Sequence, residues 1–130
     1  MRLLNTKTYT LHEFLEDQIP EYVILSHRWG SDEVSFKEFR KGTRQESVGY
    51  RKIIDFCAFA RSRVREWVWI DTCCIDKRSS AEVSEAVNSM YNFYAYAREC
   101  YAYLPDVLSL GHGNENVLRS LRSSNWLTRG

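Results

Sequence analysis

Long apolar runs are missing from this chain of 130 residues, and no segment approaches the roughly 20 apolar residues that a membrane-spanning helix needs. The N-terminus, MRLLNTKTYT, also lacks the hydrophobic stretch of a secretory signal. An excess of one charge is lacking too. Eighteen basic residues against 17 acidic ones leave a formal charge of +1, which excludes the electrostatic footprint of a nucleic-acid binder. There are only two prolines, no low-complexity tract and no internal repeat, so the length suits one domain with a real core. The four cysteines (Cys57, Cys73, Cys74 and Cys100) and the three histidines show neither CxxC nor zinc-ligand spacing. The expectation is buried, reduced thiols in a cytoplasmic protein with no metal and no required cofactor.

Aromatic residues are plentiful at 14%, which predicts a core or an interface rich in Tyr, Phe and Trp. Arg2–Leu4 and Thr8–Thr10 read as short edge structure, and Leu11–Asp17 as a helical segment with Leu11, Phe14 and Leu15 on one face. Tyr22–Leu25, Trp67–Ile70 and Cys100–Leu104 are short apolar runs of the kind buried in a parallel sheet. Between them, the apolar residues from Tyr50 to Arg61 and from Val83 to Ala97 recur at the helical period. Ser79-Ser80-Ala81-Glu82 matches the capping box that opens a helix, while Gly30–Ser35, Lys41–Gly49 and Asp71–Ser80 read as turns or loops.

Strand, helix, strand, helix, strand predicts an α/β domain with a parallel sheet flanked by helices. Ligands in such sheets sit beyond the carboxyl ends of the strands. The strand candidates end in Ser26-His27-Arg28, in Asp71-Thr72 and near Asp106, so one edge is expected to gather Ser26, Arg28, Trp29, Asp71 and Asp76.

These residues also carry a family resemblance. YVILSHRWG followed by VSF, then GYRKI, VWIDTCCIDKRSSAEVSEAVNSM and CYAYLPDV, in that order, resemble the heterokaryon incompatibility (HET) domain of filamentous fungi. The likeness covers residues 22–130, leaves 1–21 as a short N-terminal extension, and implies one HET domain spanning 1–130. It implies a role in non-self recognition and cell-death signalling, through self-association or through another incompatibility-pathway protein. The HET domain is in turn similar to the Toll/interleukin-1 receptor (TIR) domain, with a flavodoxin-like parallel sheet. Some TIR domains cleave NAD, which makes NAD a possible substrate. Ser26, Arg28, Gly30 and Asp32 resemble the strand-end motif of plant TIR domains. Family members usually continue past a segment like NWLTRG into WTLQEL, where the glutamate resembles the catalytic one of NAD-cleaving TIR domains. The resemblance therefore implies a domain truncated at Gly130, with the family's candidate catalytic carboxylate lying beyond that residue.

Each candidate residue has two readings. Arg28 suits a pyrophosphate or an ion pair with Asp32 or Asp71. Trp29 can stack on a ligand ring or cover the sheet edge, and Ser26 can orient a ribose or cap backbone groups. Asp71 and Asp76 can bind ribose hydroxyls or cap a turn and pair with Lys77 or Arg78. Glu85, the rival catalytic carboxylate within the chain, is otherwise a solvated helix residue. His27 titrates near neutrality but has no catalytic partner set by spacing, so a structural role is expected.

Overall fold

A computed structural model of the chain describes residues 1–105. Asp106 and the NWLTRG segment that ends at Gly130 lie outside the described residues, and with them the expected truncation at Gly130. Two short strands open the fold, β1 (Arg2–Asn5) and β2 (Leu11–Glu13), followed by a 3-10 turn at Glu16–Gln18. Then come β3 (Val23–Ser26), α1 (Phe36–Lys41), α2 (Val48–Ser62), β4 (Trp67–Trp69), α3 (Asp71–Cys74), α4 (Ser80–Tyr96) and β5 (Glu99–Ala102). The five strands form one sheet in the order β2-β1-β4-β3-β5.

The sheet is mixed. β4, β3 and β5 run parallel, as the three apolar runs predict, but β1 pairs antiparallel with both β2 and β4. The N-terminal residues thus depart from the expected edge-and-helix reading. Leu11–Glu13 is a strand because its backbone completes the hairpin with β1, an override of local period by tertiary pairing. β1 lies inside the sheet, with Leu3 and Leu4 fully buried. Asn5 closes the hairpin, its side chain accepting from the Lys7 and Thr8 amides while Tyr9 takes a left-handed φ of 55°.

The crossovers from β3 to β4 and from β4 to β5 run in opposite directions along the sheet. Since such connections are right-handed, α2 and α4 must cover opposite faces. On one face Phe56 and Phe59 of α2 meet Tyr101 of β5; on the other, Phe93 and Tyr94 of α4 meet Trp69 of β4. Ile24, Ile53, Val68 and Ile70 are fully buried in the core between them.

Serines start three of the helices, Ser79 as the sequence predicts and Ser35 and Ser47 within segments read as turn and loop. Ser35 and Glu38 form a capping box on α1, which ends at Gly42 in the left-handed region, φ 69°. Ser47 caps α2 and Ser79 caps α4. At α4 the box is only half made, because Glu82 turns its carboxylate to the Asp76 amide (2.9 Å) and Arg2 (2.5 Å). Asp71–Ser80, read as a turn, begins with the single turn of α3 instead, which buries Thr72, Cys73 and Cys74. Cys57 is buried as well, and all four cysteines are unpaired, but Cys100 is exposed. Burial pushes the Cys57 thiol up to about 12.

Candidate functional site

The parallel pairing of β3 with β4 brings the residues that follow both strands to one edge. Ser26 ends β3 and Asp71 opens α3, directly after β4 and Ile70. In this arrangement His27 Nε2 lies 2.7 Å from Asp71 Oδ1, and the Trp29 indole N–H donates to Asp71 Oδ2 at 2.8 Å. Lys77 donates to the Asp71 carbonyl at 2.9 Å and sets its ammonium 4.2 Å from the centre of the Trp29 ring, a cation–π contact. Tyr94 packs its ring edge-on against Trp69 of β4 on the same side of the sheet.

Burial works against charge on Asp71, but the hydrogen bond and charge of His27, then Trp29 and Lys77, outweigh it and hold the carboxyl below its usual value. Burial also lowers Lys77, against the pull of Asp71, and raises Tyr94. The His27 side chain is only 1% exposed, and its Nδ1 is buried with no hydrogen-bond partner among the described residues. His27, for which no partner is set by spacing, is the buried half of a pair with Asp71.

The segment after β3 is fastened a second time, further along. Asp32 accepts from Val48 N–H at the start of α2 and pairs with Arg44, and its carbonyl receives Gly49 N–H at 3.0 Å. A Cβ on Gly49 would stand 2.7 Å from Glu33 Cα, so only glycine allows that approach. Glu33 accepts Gly30 N–H at 2.7 Å and pairs with the buried Lys52. Asp32 and Glu33 thus tie the loop to α2.

Between the Trp29 arm and α4 lies an open groove of 350 Å³. Trp29, Asp71 and Lys77 line one wall; Val83, Val87 and Met90 line the other, with Ala86 at its base. Its size is at the low end for small-molecule sites, and its lining is largely apolar.

Of the residues singled out from the sequence, Trp29 and Asp71 meet in this groove, while Ser26 ends β3 at the same sheet edge without lining it. Arg28 is exposed on the same turn. Asp76 instead accepts two bonds from the Arg78 guanidinium at 2.9 Å, which holds its carboxyl down at about 2. That is the pairing reading for Asp76. Glu85 lies about 200° from Val87 around α4, at 100° per residue, and lines a separate depression with Arg2, Glu82 and Trp69. It is not gathered with Trp29 and Asp71. The other carboxylate, expected beyond Gly130, lies outside the described residues. Lys77, Tyr94 and the α4 wall were not singled out as site residues. The signal available was the breadth of the apolar arc on α4, wider than one sheet face needs.

Both Asp71 oxygens are engaged by protein donors. The geometry therefore suits an apolar or aromatic group held beside an anchored indole better than proton transfer. Among the described residues no group of three or more His, Cys, Asp or Glu side chains could hold a metal ion, and no helix is long and apolar enough to cross a membrane.

Residues 22–130 match the profile of the family described as Heterokaryon incompatibility protein (HET). The chain is 44% identical over 119 residues to the Vegetative incompatibility protein HET-E-1 of Podospora anserina. That alignment takes in 87% of this chain and 9% of the relative, so the chain spans less than a tenth of the relative's length. No solved structure matches.

Proposed function

Because the chain belongs to the heterokaryon incompatibility family, we propose that it acts in the cytoplasm in fungal non-self recognition, as a cell-death signalling domain that works by associating with copies of itself or with another incompatibility-pathway protein. One observation carries this reading. The polar groups at the strand ends are bonded to one another, whereas the neighbouring helix leaves large apolar side chains uncovered: Val87 is 64% and Tyr91 82% exposed. Such a surface suits association more than turnover. Expression of the chain in a filamentous fungus tests the proposal, with hyphal growth and vital-dye uptake as readouts. Growth arrest is expected, and it should be strengthened by fusion to an inducible dimeriser. Normal growth even of the forcibly dimerised chain would overturn it.

A second reading is that of a TIR-like NAD-cleaving enzyme, and the groove beside Trp29 and Asp71, past the carboxyl ends of parallel strands, favours it. In that reading Ser26, Arg28 and Trp29 grip the dinucleotide, while Glu85 stands on the wrong flank of α4 to serve it. Incubating the chain and a version extended beyond Gly130 with NAD decides between the readings: nicotinamide release by neither ends the enzymatic one.

A further inference from the structure

The geometry points to the Trp29-side flank of α4 as a symmetric docking surface for a second copy of this chain, in which Tyr91 of each protomer enters the other's Trp29–Val87 groove. The inference rests on the signalling-by-association reading and names the surface that would perform it.

The argument starts on the helical wheel. Val83, Ala86, Met90 and Phe93 mark the stripe of α4 that packs on the core. Tyr94, Val87 and Tyr91 continue that stripe, so that the apolar arc from Phe93 to Tyr91 spans about 160° at 100° per residue. The sheet covers only part of it: Tyr94 is 38% exposed, Val87 64% and Tyr91 82%. Trp29, at 54%, extends the same surface across the groove.

The pattern is self-complementary. If two α4 helices pack antiparallel about a twofold axis at Val87, Tyr91 lies opposite the partner helix's position 83, which lines the groove. Each copy thereby offers one knob and one hole, as an isologous interface requires. The charges permit it. Glu82 and Glu85 stand on the opposite flank with Arg2, and the residues bordering the exposed arc on its outer side are Ser80, Ser84 and Ala95. No like charges on the two helices would therefore be forced together. Trp29, Val87, Tyr91 and Tyr94 expose on the order of 500 Å² per copy, so a symmetric pair reaches about 1,000 Å², the threshold of a specific interface. An interface at that threshold predicts a weak, concentration-dependent dimer.

The test is a sedimentation-velocity concentration series up to several hundred micromolar on the 130-residue chain, in a Cys100→Ser background. The wild-type surface should dimerise reversibly. Tyr91→Arg and Val87→Asp should each weaken the dimer at least tenfold, while Glu85→Arg on the other flank leaves it unchanged; circular dichroism melts confirm that each variant is folded. Under oxidation Val87→Cys should form a disulfide-linked dimer, and Ser89→Cys should not. A monomer throughout the series overturns the proposal, because the face must then be covered by something other than a second copy. A dimer indifferent to Tyr91→Arg overturns it equally. Hyphal growth separates the two claims: if Tyr91→Arg abolishes the dimer but not the arrest, the docking surface stands and signalling by self-association falls.

Discussion

The segment that leaves β3 is held at its two ends by different chemistry. At Gly49 the hold is backbone against backbone, reinforced by a buried Lys52–Glu33 pair whose side chains are 5% and 14% exposed. At Asp71 it is a web of side chains, with Trp29 half in solvent. The first kind of hold leaves no room for variation and fixes where the loop lies. The second sets where one indole points, and its members can change without moving the chain. The difference teaches which end is scaffold and which end can be tuned for recognition.

The scaffold end should break hardest. Lys52→Met leaves the Glu33 carboxylate buried without its cation and is expected to cost about 3–5 kcal/mol. The double variant Lys52→Met/Glu33→Leu should recover most of that loss in urea denaturation, since the pair is then replaced by apolar volume. Gly49→Ala comes next, at about 2–3 kcal/mol, because the new methyl meets the backbone of residues 32–34 and no side chain can rotate out of its way. If Gly49→Ala melts like the wild type, the loop is not fastened there and the contrast between the two holds fails.

Much of the frame is legible in the sequence. The three parallel strands and the two long helices follow from apolar runs and helical period, and the Ser79 cap follows from its capping-box pattern. β1 and β2 do not, because Leu11–Glu13 takes its conformation from a strand partner and not from its own pattern. The site is half legible. Ser26, Trp29 and Asp71 come from their place at strand ends, but the His27–Asp71 pair joins residues 44 apart in sequence, and no spacing rule links them. Glu85 illustrates the opposite limit. Its angular position on α4 follows from the sequence, but which flank meets the loop is decided only by the handedness of the crossover.

The tunable end predicts smaller effects. Asp71→Ala strands two donors, one of them the buried His27 ring, for an expected loss of about 2 kcal/mol. The wild type should also lose stability in acid. The folded carboxyl of Asp71 is depressed relative to the unfolded one. Its contribution is therefore fully present above the unfolded value near 3.9 and lost as pH falls through that value and the lower folded one. Comparing the two proteins' urea midpoints between pH 6 and pH 3 checks this. The difference between wild type and Asp71→Ala should shrink on acidification, and a constant difference would assign the loss to packing alone.

The smallest effect should be the most informative. Trp29→Phe keeps a ring beside Lys77 but removes the N–H that Asp71 Oδ2 accepts. Because Trp29 is 54% exposed, water can replace that donor, and the stability cost should stay under about 1 kcal/mol. The Asp71 carboxyl should nevertheless rise, since the indole is one of the groups holding it down. Carboxyl chemical shifts followed through an acid titration read that rise directly. Amide exchange at Gly49, measured on the same samples, should not change, because its partner is the Asp32 carbonyl at the other hold. If exchange at Gly49 accelerates together with the shift at Asp71, the two ends form one cooperative unit, and Trp29 would belong to the scaffold after all.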